Sequence, residues 1–203
     1  QINTQGANTA AALISQLPAA VGVNAGSTLT LDNFLTNHGD RLPNSQPFVL
    51  NGGTLMHIQN ASSTTAETLG QLTLGADTTN TIYVRHPASA PISLDNVLAF
   101  NGTGSISALQ RMDGATLNLM TNLQFLPGTN EIRFINSPTF GPLPTSGVLV
   151  GGTNPLLGGL AIVPWATVTS FVGDSRESID LVSDLDGAIG GTSLSLGALA
   201  TYD

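Results

Sequence analysis

The sequence predicts an all-β fold, a solenoid in which short strands stack in successive rungs. Three observations carry that expectation. After Gly26, short segments alternate apolar and polar residues, and each is closed by Asn, Gly or Asp; alternation with period two buries one face of a strand and wets the other. A loose unit recurs as Ser27-Thr28-Leu29-Thr30-Leu31 and Ala115-Thr116-Leu117-Asn118-Leu119, with shorter echoes at Gly53-Thr54-Leu55 and Gln71-Leu72-Thr73-Leu74. Units of that kind bury their apolar face only against their neighbours. Finally, 9% of the residues are charged, against about 25% in an ordinary globular domain, and Thr, Ser, Asn and Gly take their place.

Taken in chain order, residues 9–17 (TAAALISQL) read either as one short helix ending before Pro18 or as an irregular lead-in; Ala favours the helix, but the stretch is short. Residues 1–26 therefore form a lead-in or cap segment, and 27–203 form the solenoid, a segment of a longer repetitive chain. Thr28 to Leu31 is the first strand, turned by Asp32-Asn33. Phe48-Val49-Leu50 runs into Asn51-Gly52-Gly53, where Gly and Asn accept the positive φ of a tight turn. Thr54 to Ile58, then Leu69, Leu72 and Leu74 with Gly70 and Gly75 as breaks, then Thr81 to Arg85, Val97 to Phe100, Ala115 to Met120, Glu131 to Ile135 and Leu160 to Val163 continue the pattern. Rungs of ~20–25 residues would give ~8 layers, a column of ~40 Å at the ~4.8 Å strand spacing.

Composition excludes several classes of function. The net charge is −8 with no basic cluster, and all basic residues are Arg; binding nucleic acid requires cations to neutralise phosphate, and an anionic membrane surface is disfavoured on the same ground. Cys is absent, which removes thiol chemistry, disulfides and thiolate metal sites. No apolar run reaches the ~18 residues of a membrane helix, so this segment is not expected to insert into a membrane. The first residue is Gln1, as in a processed chain or a piece of a longer one.

Three stretches resemble the autotransporter-associated β-strand repeat. They are Ser27-Thr28-Leu29-Thr30-Leu31-Asp32-Asn33 through Asn37-His38-Gly39-Asp40-Arg41-Leu42, then Phe48 to Leu55, then Thr65-Ala66-Glu67-Thr68-Leu69-Gly70-Gln71-Leu72-Thr73-Leu74. The likeness is close over 27–84 and loose over 85–147. It returns at Pro164-Trp165-Ala166-Thr167-Val168 and at Ala200-Thr201-Tyr202-Asp203, which resemble the elements closing units in that family. The resemblance implies a right-handed parallel β-helix from a long, secreted, repetitive bacterial surface protein. It supplies no catalytic residues. It departs from the pattern at 137–160 and in the acidic stretch after Gly173.

The candidate sites each have a structural reading beside a chemical one. Arg41 precedes Leu42 in the turn holding His38 and Asp40; a His–Asp pair could serve acid–base work, but no nucleophile motif accompanies it, and Arg41 is expected to hold backbone carbonyls with its five donors. Gly52, Gly53 and Tyr202 are read as structural. Trp165 is read as a core anchor or rung-end cover rather than a sugar platform. Asp174, Asp180, Asp184 and Asp186 could offer hard oxygen ligands to Ca²⁺, but their spacing fits no calcium loop and they are expected to be a solvated edge. His57 and His86 are isolated, and His57, alternating with Met56 and Ile58, is expected at the surface or in cross-rung stacking.

These readings point to a structural or adhesive surface or fibre component, not an enzyme. Its expected partners are further solenoid segments or copies of itself, and host or environmental glycans. The alternative is a polysaccharide-binding or polysaccharide-cleaving module. That alternative rests on fold analogy, without an aromatic ridge or a convergent basic group to carry it.

Overall fold

The computed structural model describes residues 2–3, 20–91, 93–102, 108–122, 130–135, 162–172, 175–184 and 193–198. All regular structure among them is β. The stretch 9–17, with its helical or irregular alternatives, lies outside the described residues, as does 137–160.

The strands sort into three parallel stacks. The first holds β2 (Val21–Asn24), β4 (Phe48–Asn51), β7 (Leu72–Leu74) and β10 (Leu109–Arg111). The second holds β1 (Ile2–Asn3), β3 (Thr28–Asp32), β5 (Thr54–Ile58), β8 (Thr79–Arg85), β11 (Thr116–Thr121) and β13 (Ile162–Val172). The third holds β6 (Thr65–Leu69), β9 (Asn96–Asn101) and β12 (Asn130–Ile135). The chain visits them in the same order on each pass, as β4-β5-β6, β7-β8-β9 and β10-β11-β12. Both β1 and β2 lie ahead of Gly26, so paired strands begin before the change in composition.

Register puts like over like. In the second stack Leu29, Leu55, Ile82, Leu119 and Val168 stand one above the next. In the first stack Val21, Phe48, Leu72 and Leu109 do the same, beside Val23, Leu50 and Leu74. In the third, Leu69, Phe100 and Phe134 align, and the rings of Phe100 and Phe134 stack at 5.3 Å and 16°. Stacked rings contribute ~0.5–1.5 kcal/mol beyond their buried area. These columns meet in one core. The outward row of the second stack is Thr28, Thr54, Thr81, Asn118 and Thr167, polar but uncharged, as the composition requires.

A recurring corner turns the chain from the first stack into the second. Gly26, Gly52, Asp77 and Gly114 have φ of 75°, 83°, 55° and 71°, and each lies two residues before its second-stack strand. A left-handed residue costs least at Gly and is tolerated by Asp. Gly53 answers a different demand, because a Cβ there would lie 2.6 Å from both the Val23 carbonyl oxygen and its Cγ1.

Pass length departs from the ~20–25 residues expected. Thr28 sits beside Thr54 and Thr54 beside Thr81, offsets of 26 and 27 residues, while Thr79 contacts Thr116 across 37 and Asn118 contacts Thr167 across 49. The inter-strand segments lengthen while the strands stay in register, and among the described residues the second stack has six strands, which span about 25 Å.

The stacking ends in antiparallel structure. β14 (Ser175–Asp184) pairs with β13, β15 (Ser193–Ala198) pairs with β14, and β15 also pairs with β12, all antiparallel. This arch joins the last strand of the second stack to the last strand of the third.

Gly53→Ala is expected to cost about 1–3 kcal/mol by overpacking against backbone. Gly22→Ala, with nothing within 4 Å of the added carbon, should stay within ~0.5 kcal/mol. Urea midpoints of the two variants check the contrast.

Candidate functional site

The densest group of buried polar side chains lies where the second stack turns toward the third. Asn33, Gln59 and His86 follow β3, β5 and β8 at equivalent positions, since the Asn33 N–H donates to Ile58 O and the Gln59 N–H to Arg85 O, each at 3.0 Å. All three are buried. Facing them, Thr65, Asn96 and Asn130 begin the third-stack strands in register, also buried. Polar groups at a buried corner need partners, and several here bond carbonyls of the same or an adjacent pass, while both side-chain atoms of Asn130 are buried without a hydrogen bond among the described residues. Gln59 Nε2 donates to Leu94 O at 2.9 Å, and Asn60 Nδ2 to Asn33 O at 2.7 Å.

In the first described pass no strand occupies the third side. Residues 33–47 run there instead, alongside β6. Asn37 Nδ2 donates to Thr64 O at 2.8 Å. The Asn44 amide, oriented to satisfy its neighbours, donates to Thr68 O at 3.0 Å and to Asp40 Oδ1 at 2.7 Å. The Gly70 N–H donates to Gln46 O at 2.9 Å. Side-chain amides thus cover a strand edge that would otherwise template further pairing.

Arg41 and Glu67 fasten this loop. Arg41 is 3% exposed and Glu67 1%. Arg41 Nε donates to Asn33 Oδ1 at 2.8 Å, and its Nη2 donates to the carbonyls of Asp32 and Thr36. Glu67 Oε2 and Oε1 accept the backbone N–H groups of Arg41 and Leu42, both at 3.0 Å. Burial pushes the Glu67 carboxyl up to about 7, against the pull of those two N–H bonds; Asp40 adds to the rise and Arg41 opposes it.

Asn33 links this pair to His57. Its Oδ1 accepts from Arg41 Nε and from the His38 N–H at 3.0 Å, so its Nδ2 is the donor to His57 Nε2, at 3.3 Å. The network therefore assigns the His57 proton to Nδ1, an atom buried without a hydrogen-bond partner. Burial, and then Arg41, push the imidazole down to about 4, so it is neutral at pH 7. The arrangement ties a covering loop to the column through groups that change charge.

His57 is not a surface residue. It is fully buried, between Leu31 and Val84 in an inward column. Its parity is that of Leu55, which defines the core face, whereas Met56 points outward. His86 is also buried, its Nδ1 2.9 Å from Pro87 O and its Nε2 3.1 Å from Pro91 O. Trp165, on β13, packs partly buried against the core, with the Arg111 guanidinium 5.4 Å from its ring centroid. Asp180 and Asp184 are positions of β14 paired with Val168 and Leu196. Asp174, Asp186 and Tyr202 lie outside the described residues. Among the described residues, no three His, Asp or Glu side chains come together as a metal site would require. The sequence reading missed Asn33 and Glu67; the available signal was Glu67 sharing the parity of Leu69 in an alternating strand.

No family model matches the chain, and no curated protein or solved structure matches it.

Two opposed pH dependences follow. Glu67 holds its proton to about pH 7 when folded and to 4.5 when unfolded, so its contribution is full below pH 4.5 and lost as pH rises through 7. His57 does the reverse, with a contribution full above pH 6.5 and lost as pH falls through 4. Glu67→Gln should abolish the decline between pH 4.5 and 7, and His57→Leu should abolish the loss on the acid side. Urea midpoints from pH 4 to 8 check both slopes.

Proposed function

We propose that this chain is a structural or adhesive segment of a β-solenoid, a right-handed parallel β-helix displayed on a bacterial cell surface or built into an extracellular fibre. The observation that carries this reading is the repeated order of the three stacks, with apolar columns in register inside and Thr and Asn rows outside. Each pass buries its face against the pass before it, as in repeat architectures. The hand follows from the general rule for parallel crossovers, and the surface location from the resemblance to the autotransporter-associated repeat. The polar corner supports the same reading. Its buried groups bind one pass to the next and fasten the loop over β6.

Electron microscopy of the material carried by the producing cells tests this. Rods with a ~4.8 Å layer line are the expected result. Discrete compact particles would overturn the fibre role, and cleavage of polysaccharides would then be assayed with and without Ca²⁺.

A further inference from the structure

Residues 33–47 form a strap along β6, and side chains hold much of it in place. The N–H groups of Arg41 and Leu42 donate to the Glu67 carboxyl, both at 3.0 Å. The His38 N–H donates to Asn33 Oδ1 at 3.0 Å, and Arg41 Nε donates to the same oxygen at 2.8 Å. What the strap covers is backbone: Thr64 O, Thr68 O and the Gly70 N–H. The Thr65 N–H donates to Asp95 O, on the β9 side. Alternate residues of a parallel strand direct their backbone groups to the same side, so the covered groups lie on the side away from β9, where a further strand would add.

Asn33 is the pivot of this strap, and its amide has a fixed sense. Oδ1 takes the two strap donors, so Nδ2 donates to His57 Nε2 at 3.3 Å. The His57 proton is then on Nδ1, and a second proton on the ring goes to Nε2. Nε2–H and Nδ2–H would face each other, donor against donor. Rotating the Asn33 amide puts Oδ1 on His57, but it turns Nδ2 toward Arg41 Nε and the His38 N–H, which are donors as well. No orientation of one amide serves both sides. Asn33 and His57 are both fully buried, so solvent does not relieve the mismatch while the strap is closed. The other charged or titratable groups on the elements around His57 are His38, Asp40 and Arg41 in the strap, Asp32 at the end of β3, Glu67 on β6, and Arg85 with His86 at the end of β8. Among the described residues none of them accepts a hydrogen bond from the ring.

We propose that His57 and Asn33 form an acid-operated latch: protonation of the ring unseats Asn33 from Arg41 and His38, and the strap lifts from β6 while the ladders stay formed. The opening is local because the ladders are backbone bonds of the stacked strands and do not pass through Asn33. Release uncovers Thr64 O, Thr68 O and the Gly70 N–H. Burial, and then Arg41, hold the ring at about 4 against its ordinary 6.5. Its contribution to closure is therefore full above pH 6.5 and is lost as pH falls through 4. Glu67 works in the opposite sense, losing its contribution as pH rises through 7, so it does not drive an opening in acid. The latch works the same way whether the chain stands on a surface or in a fibre.

Amide hydrogen exchange of the unmodified chain tests the latch. Between pH 6.5 and pH 4, protection of the His38, Arg41 and Leu42 amides should fall by up to ~100-fold once the intrinsic rate is divided out. At pH 4 the amides of Ile82 and Leu98, both fully buried, should remain at least ~10-fold better protected than the strap. Asn33→Asp offers one oxygen to the strap and one to a charged ring, and should keep the strap closed at pH 4. His57→Leu takes up no proton, and its strap protection should stay flat over the same range. A fall that persists in either variant would assign the opening to His38, Asp40 or Asp32 and overturn the latch. Equal protection of strap and ladder at pH 4 would also overturn it, since that marks unfolding of the whole column. If neither variant folds, the ring nitrogen NMR signals of His57 in the unmodified chain decide. They should titrate together with the strap amide signals, and separate midpoints would sink the proposal.

Discussion

The parallel hydrogen-bond ladder is the constraint on which the rest depends. It fixes each strand directly over the one before, about 4.8 Å away, and so gives every inward position the same neighbours above and below. Leu29 must tolerate Leu55, and Leu55 must tolerate Ile82. A slip of one residue would turn a whole column to solvent. The exceptions within these columns are therefore informative. His57 between Leu31 and Val84, Glu67 above Leu98, and Arg111 beside Leu74 each mark a place where the ladder meets a corner, an irregular side or an end.

The polar corner follows from the same constraint. Turning from one stack to the next exposes backbone groups inside the molecule, and they cannot reach water. Gln59, Asn60, His86 and Asn96 meet part of that demand by bonding the carbonyls of Leu94, Asn33, Pro87 and Arg85. Where the third side of a pass has no strand, the demand is greatest, and there Arg41 and Glu67 are found. Both side chains bond backbone groups of this loop, Arg41 the carbonyls of Asp32 and Thr36 and Glu67 the N–H groups of Arg41 and Leu42. They give residues 33–47 a defined path along an edge that would otherwise accept a foreign strand.

The strands and the all-β class were legible because alternation with period two is a local signal. Thr28 to Leu31, Thr54 to Ile58 and Ala115 to Met120 could be read as strands from their own residues. The three-stack order could not, since it depends on segments of 26 to 49 residues whose lengths carry no periodicity. The role of Arg41 was readable in kind, as a donor to turn carbonyls. Its partners were not, because Glu67 and Asn33 come to it from different passes. His57 was misread because Met56 and Ile58 were taken to mark the core, when Leu55 does.

The unequal lengths of the passes bear on how such a chain can change. Closing a loop costs entropy as the logarithm of its length, so stretching an excursion from 26 to 49 residues adds only about 0.6 kcal/mol. The ladder does not register what happens between its strands. Insertions at the corners are thus nearly free in energy, while a single deletion inside a strand displaces a column. A chain built this way tolerates a change of outline far more readily than a change of interior, and here the interior shows a common pattern where the connecting segments show none.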